Sequence, residues 1–435
     1  MKYNIKKRQI KSIFLYLIVF LLLFIIIYSN SYPKLALIGN NDRIAIIIMS
    51  FLILFSNYSI KKNNTKVRKA FYKLWGFNLF LFFYCFIILL FLGFGSGENI
   101  LGSLVYYLLF MPVSFAFFSR TIKSTNQLMC FLFAITFIQS VIILFCILND
   151  GFASTIDSVF NQNQFFDFQL MRNQGYPGGI WCITSTGAMQ LSLGLISCSY
   201  FIMNGRDSLF FFLSFLFFSF VSIAVARTAI VLAVSCIVIV MISLWSDKGK
   251  EKLKQYAIVM IVLLSTIYTM NLPQIKDRLP QFFSRVFELR ERGLYNGFFG
   301  GYFNGKTTVI PRISIDTVIG TGITSGISGQ GVMINADGGF FRMYCAIGLP
   351  LCLVFYCLLI WVFCCFYANC NNKTSRLMIV LLGIIFFWGE FKEPFFYKKY
   401  YWLIVFLFAF LDQKNNQYTQ DYSIPQIQTH IATFR

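Results

Sequence analysis

Histidine occurs once in this chain, as His430, and only 12% of the residues are charged. A zinc site of the usual kind needs several histidines or cysteines, so metal chemistry here would have to rest on carboxylates alone. General acid–base catalysis by histidine is equally poorly served. The twelve cysteines do not fill the gap. All lie in apolar runs or at their edges, and none lies between 271 and 339. A disulfide framework would place them in the oxidising compartment, so these read as small apolar residues. No unit of roughly 20–50 residues repeats, which argues against a solenoid or a propeller.

Apolar residues are abundant. The hydrophobic fraction is 57%, and the mean hydropathy is +0.68. Such a chain is a polytopic membrane protein, because a soluble core of this length would need more polar surface. With about 20 residues needed per crossing, the pattern predicts about twelve transmembrane helices. They cover about 12–29, 44–60, 74–94, 101–119, 127–148, 180–203, 208–225, 228–245, 255–270, 340–368, 377–391 and 395–411. The fold class is therefore all-α, with residues 1–435 as one membrane-embedded domain. The first run follows Lys6, Lys7 and Arg8 like a signal peptide, but Tyr32, Pro33 and Lys34 follow it instead of a small-residue cleavage site. It reads as an uncleaved span.

The formal net charge of +20 would point to nucleic acid in a soluble protein. In a membrane protein it is a topology signal. With the N-terminus in the cytoplasm, the inner loops hold Lys61 to Lys73, Arg120, Lys123, Arg206, Lys248 to Lys254, Lys373 and Arg376. The tail 412–435 is then cytoplasmic. Two larger segments, 149–179 and 271–339, lie outside. The second carries seven Lys/Arg and five Asp/Glu, and orientation rules counted over short loops do not oppose this. Ala226-Arg227-Thr228 forms a small outer turn between two spans.

Within 271–339, Pro280 to Arg292 has the period of an amphipathic helix, with Phe282, Phe283, Val286 and Leu289 on one face. It can serve as a structural lid or as a contact with a lipid carrier. Gly300 to Thr307 matches the phosphate loop GxxxxGK[ST]. No apolar strand precedes it and Pro311 follows, so the context that makes such a loop work is missing.

Outer arginines carry the better signal. Arg172, Arg227, Arg312 and Arg342 offer the planar, permanently charged donors that suit a phosphate. The alternative is that they reach lipid headgroups. Asp316 to Arg342 holds five glycines between Gly320 and Gly331, then Asp337-Gly338-Gly339-Phe340-Phe341-Arg342. Asp337 can take a proton from a hydroxyl, pair with Arg342, or cap a helix. Glu390, with Lys392 and Glu393 beside it, lies at the outer end of another span.

Two outer loops, an outer Arg-Thr turn and a VIGTGITSG…ADGGFFRMYCAIGLP segment in a Phe/Ile-rich polytopic chain resemble the bacterial O-antigen polymerase (Wzy) family. The resemblance covers the whole topology through short, degenerate motifs. It implies a GT-C-like, metal-independent glycosyltransferase in the bacterial inner membrane, without a cofactor. Its substrate would be an oligosaccharide on undecaprenyl pyrophosphate, and a polysaccharide chain-length regulator would be its partner. It further implies Arg172, Arg227 and Arg312 near the pyrophosphate, with Arg342 in support. Asp337 would be the leading base and Glu390 the second. Tyr176, Tyr295 and Tyr302 would stack on sugar rings. The related O-antigen ligases use an outer-loop histidine, which this chain lacks. It departs from the polymerases' paired Arg-x10-Gly spacing, because Ile183 and not glycine follows Arg172 at that distance. A flippase for the same lipid-linked repeat is the competing reading, but the mid-chain spans carry few charges for a central cavity.

Overall fold

The computed structural model describes residues 2–28, 41–55, 66–160, 184–206, 208–226, 228–245, 314–329, 333–334, 338–392 and 398–423, with Gly179, Tyr256, Gly331 and Phe396. Its long helices are α1 (Lys2–Tyr28), α2 (Asn41–Phe55), α3 (Lys66–Leu92), α4 (Ile100–Thr121) and α5 (Thr125–Leu148). After α6 (Asp150–Phe160) come α7 (Thr184–Met203), α8 (Ser208–Val225) and α9 (Thr228–Leu244). The short α10 (Ile315–Ile319) and α11 (Gly339–Ile347) precede α12 (Leu349–Ala368), α13 (Lys373–Lys392) and α14 (Lys399–Ser423). Six of the described helices are long and apolar enough to cross a membrane, and shorter apolar helices accompany them. The protein is a mostly helical membrane protein.

Described helices overlap the expected spans other than 255–270, of which only Tyr256 is described; 56–60 and 180–183 of two further spans also lie outside the described residues. One expected span is built differently. The run 340–368 is two helices, broken at Gly348, whose φ of 80° is left-handed. Phe340 of α11 returns against α12: its ring lies 4.6 Å from that of Tyr356. The run was too long for one crossing, and the break folds its first part back along the remainder.

Two helices form the centre. The window Thr186–Met203 of α7 is 89% buried, and residues 400–411 of α14 are buried on every face. α14 is apolar all round there, as a fully enclosed helix must be. α7 reaches the same state through small residues. Ser192, Ser197 and Ser199 turn their hydroxyls onto carbonyls of their own helix. Gly194 lets α5 and α8 come close: a Cβ there would stand 2.6 Å from Thr136 Cγ2 and 2.8 Å from Phe218 Cδ2. Close helix packing through small residues is the usual solution inside a bilayer. Gly194→Val is expected to lower stability by about 1–3 kcal/mol through overpacking, read as an earlier thermal transition in detergent.

The bundle has two distinct ends. At one, the Lys73 ammonium sits 4.6 Å over the Trp361 ring, Arg68 lies over Phe410, and Arg376 lies over Tyr367. Asp412 accepts from Ser375 Oγ at 2.6 Å and from the Asn371 amide. Burial, and then the positive charge of Lys123, hold the Lys414 ammonium below the usual lysine range. Among the described residues, Arg68, Lys73, Lys373 and Arg376 thus lie toward this one end.

At the other end the all-α expectation gains a small sheet. Strands β1 (Glu98–Asn99), β2 (Ile323–Ile327) and β3 (Met333–Ile334) pair antiparallel in that order. β1 belongs to the α3–α4 connection, so the sheet pins the glycine-rich segment to the end of α3 and the start of α4. The Ser96 amide donates to the Ile327 carbonyl and the Ile100 amide to that of Gly322, both at 3.0 Å.

Candidate functional site

The sheet end is where the described candidate residues meet. Glycine brings its parts together. Gly97 and Gly326 lie back to back: a Cβ on Gly326 would stand 2.5 Å from Gly97 Cα, and one on Gly97 would meet the Ser325 carbonyl. Gly338 precedes α11 and approaches the last turn of α13, where a Cβ would stand 2.8 Å from the Phe391 carbonyl. This contact sets the start of α11 beside Glu390.

Glu390 is fully buried on α13. Its Oε1 accepts from the Tyr356 hydroxyl of α12 at 2.7 Å, and its Oε2 from the Phe396 amide at 2.6 Å. A carboxyl held this way joins α12, α13 and the turn into α14. Such buried, partnered carboxyls are strong positioning groups. Tyr356 extends the arrangement through its ring contact with Phe340. Glu390 therefore sits one residue from the backbone that α11 begins against.

Arg342 lies one turn into α11. One guanidinium nitrogen is 3.9 Å from Glu98 Oε2, and the same carboxylate oxygen accepts from the Ser325 hydroxyl at 3.1 Å. Arg342 is 23% exposed and Glu98 72%. An ion pair this long and this wet is weak. Lys398, before α14, donates to Thr186 Oγ1 at 3.1 Å at the start of α7. In the sequence it stands with Lys399 near the start of the expected run 395–411.

The structure thus brings Glu390 and Arg342 to one end, on neighbouring elements. Asp337, Arg172, Arg227, Arg312, Tyr176, Tyr295, Tyr302 and Glu393 lie outside the described residues, as do the Lys392 side chain and the amphipathic stretch 280–292. The helices flanking Arg227 are described: α8 ends at Val225 and α9 starts at Thr228, as the expected tight turn requires.

The chain matches no family model, no curated protein and no solved structure.

Proposed function

We propose that this protein is a bacterial inner-membrane polysaccharide polymerase. It would transfer a glycan from undecaprenyl pyrophosphate to a lipid-linked repeat unit on the periplasmic face. The observation that supports this reading best is the division of the bundle's ends. The described basic residues Arg68, Lys73, Lys373 and Arg376 lie toward one end, as residues of cytoplasmic loops would, while Arg342 and Glu390 lie with the glycine-rich segment at the other.

The reaction needs little from outside. An acceptor hydroxyl oxygen attacks the anomeric carbon of the donor sugar. The bond from that carbon to the pyrophosphate oxygen breaks, and the lipid pyrophosphate leaves with the electron pair. The hydroxyl proton passes to a carboxylate, for which Asp337 is the first candidate and Glu390 the second. Charge growing on the leaving group is stabilised by arginine, with Arg172, Arg227 and Arg312 in that role and Arg342 in support. Tyr176 and Tyr295 are the proposed sugar-stacking residues. Energy stored in the donor bond makes a nucleotide unnecessary at this face. A chain-length regulator is the proposed protein partner.

The test is the lipopolysaccharide profile of a deletion strain carrying variants. Arg172→Ala or Arg227→Ala is expected to remove the long ladder and leave a single capped repeat at the cell surface. A normal ladder with both residues changed overturns the pyrophosphate role. Repeats trapped inside the cell would indicate a flippase instead.

A further inference from the structure

The segment 315–322 should lie in water if the whole of 271–339 is an aqueous loop. Its contacts place it lower. The Tyr84 hydroxyl donates to the Ile319 carbonyl at 2.6 Å. Tyr84 precedes Leu92, the last residue of α3, by eight positions, which is about 12 Å along a helix. From Lys73, whose ammonium marks the basic end, to Leu92 is about 28 Å at the same rise, close to the thickness of a hydrocarbon core of about 30 Å. Even with a tyrosine side chain reaching outward, the Ile319 carbonyl stands below the apolar rim of α3. Gly322 packs at the next level, where a Cβ would stand 2.6 Å from Leu89 Cγ.

Irregular backbone survives at such depth only when its polar groups are satisfied by protein. Here they are. The Thr321 amide and hydroxyl both donate to the Cys345 carbonyl, at 2.8 and 3.0 Å, and the Gly322 amide donates to the Ala346 carbonyl at 2.9 Å. Residues 320–324 are buried. Gly348, at the corner of the α11–α12 hairpin, leaves room for the Val318 and Ile319 carbonyls.

The other side of α10 is bare. Ile315 is 76% exposed, and Val318 and Ile319 are exposed beside it. These three share one helical face by their spacing. The face continues the exposed apolar stripe of α3, where Phe80, Phe83, Ile87, Leu90 and Phe91 are all exposed around Tyr84. A span's exposed apolar stripe faces acyl chains, so a surface continuous with it at the same depth faces them too.

We propose that residues 315–322 form a re-entrant element whose α10 face, Ile315, Val318 and Ile319, contacts the acyl chains of the bilayer. The glycine-rich end is then partly sunk in the membrane and is not wholly an aqueous cover. This stands apart from the reaction proposed above.

The test uses Ser96→Cys, Ile315→Cys and Ile319→Cys in the full-length protein reconstituted in phospholipid vesicles, with the parent protein's own thiols as background. The probe is a sulfonated, membrane-impermeant maleimide. Ser96 is exposed beside β1, beyond the end of α3. Thiolate is the reacting form, and an apolar environment disfavours it, so the two isoleucine positions are expected to react at least about tenfold more slowly than Ser96→Cys. Any smaller ratio overturns the proposal. Equal labelling of all three after denaturation in SDS shows that each thiol was present. A monodisperse elution profile shows that each variant is folded.

Discussion

Glu390→Ala is expected to destabilise the protein by about 2–5 kcal/mol, because two buried donors lose their acceptor at once. The Tyr356 hydroxyl and the Phe396 amide each end on this carboxyl, at 2.7 and 2.6 Å. Both donors are removed from bulk water, with Phe396 fully buried and Tyr356 partly so. Alanine offers no replacement oxygen, and water would need a cavity lined by aromatic rings. The measurement is the thermal transition in detergent, without substrate. Tyr356→Phe removes one of the two hydrogen bonds and is expected to cost less, about 1 kcal/mol. The double variant should lose less than the sum of the two, since both act on one contact. An unchanged transition in Glu390→Ala, with the proposed polymerase activity lost, would assign Glu390 to the chemistry and not to the fold.

Gly326→Val is expected to detach the glycine-rich segment from the α3–α4 connection. Its φ of 98° is left-handed, a conformation that a β-branched residue adopts only with strain. The new Cβ would also stand 2.5 Å from Gly97 Cα, a backbone atom that no rotamer change can move. Both costs fall on the pairing of β1 with β2. Hydrogen exchange reads the result directly, because the Ser96 and Ile100 amides donate across this contact. Their exchange should accelerate by about a hundredfold or more, the equivalent of roughly 3 kcal/mol of lost local stability. Exchange unchanged from the parent would mean that the sheet is not what holds this end together. Gly331→Ala is a useful contrast: its φ of 78° is also left-handed, but nothing crowds the position. Strain alone is tested there, without a clash.

Much of the fold was legible in the sequence because lipid imposes a simple rule. Backbone polar groups must be satisfied within each crossing, so an apolar run of sufficient length is a helix. The runs 101–119, 127–148 and 208–225 become α4, α5 and α8 with ends moved by a few residues at most. The candidate site was less legible. Glu390 stood out as an acid beside an apolar run, but nothing local told that its two oxygens would meet Tyr356, 34 positions earlier, and Phe396. Glycines 320 to 331 signalled tight turns without naming the surfaces they approach.

Sequence by itself determined that this is a mostly helical membrane protein and where several of its long apolar helices run, because each follows from composition summed along a short stretch. Tertiary structure alone decided three other matters. It chose α7 and α14 as the centre, through close approach at Gly194 and enclosure of residues 400–411. It broke the run 340–368 at Gly348 and folded α11 back against α12. It joined Glu98, Ser325 and Arg342 across more than two hundred positions. These depend on which surfaces fit at a distance of a few ångströms, and hydropathy along a chain carries no information about that fit.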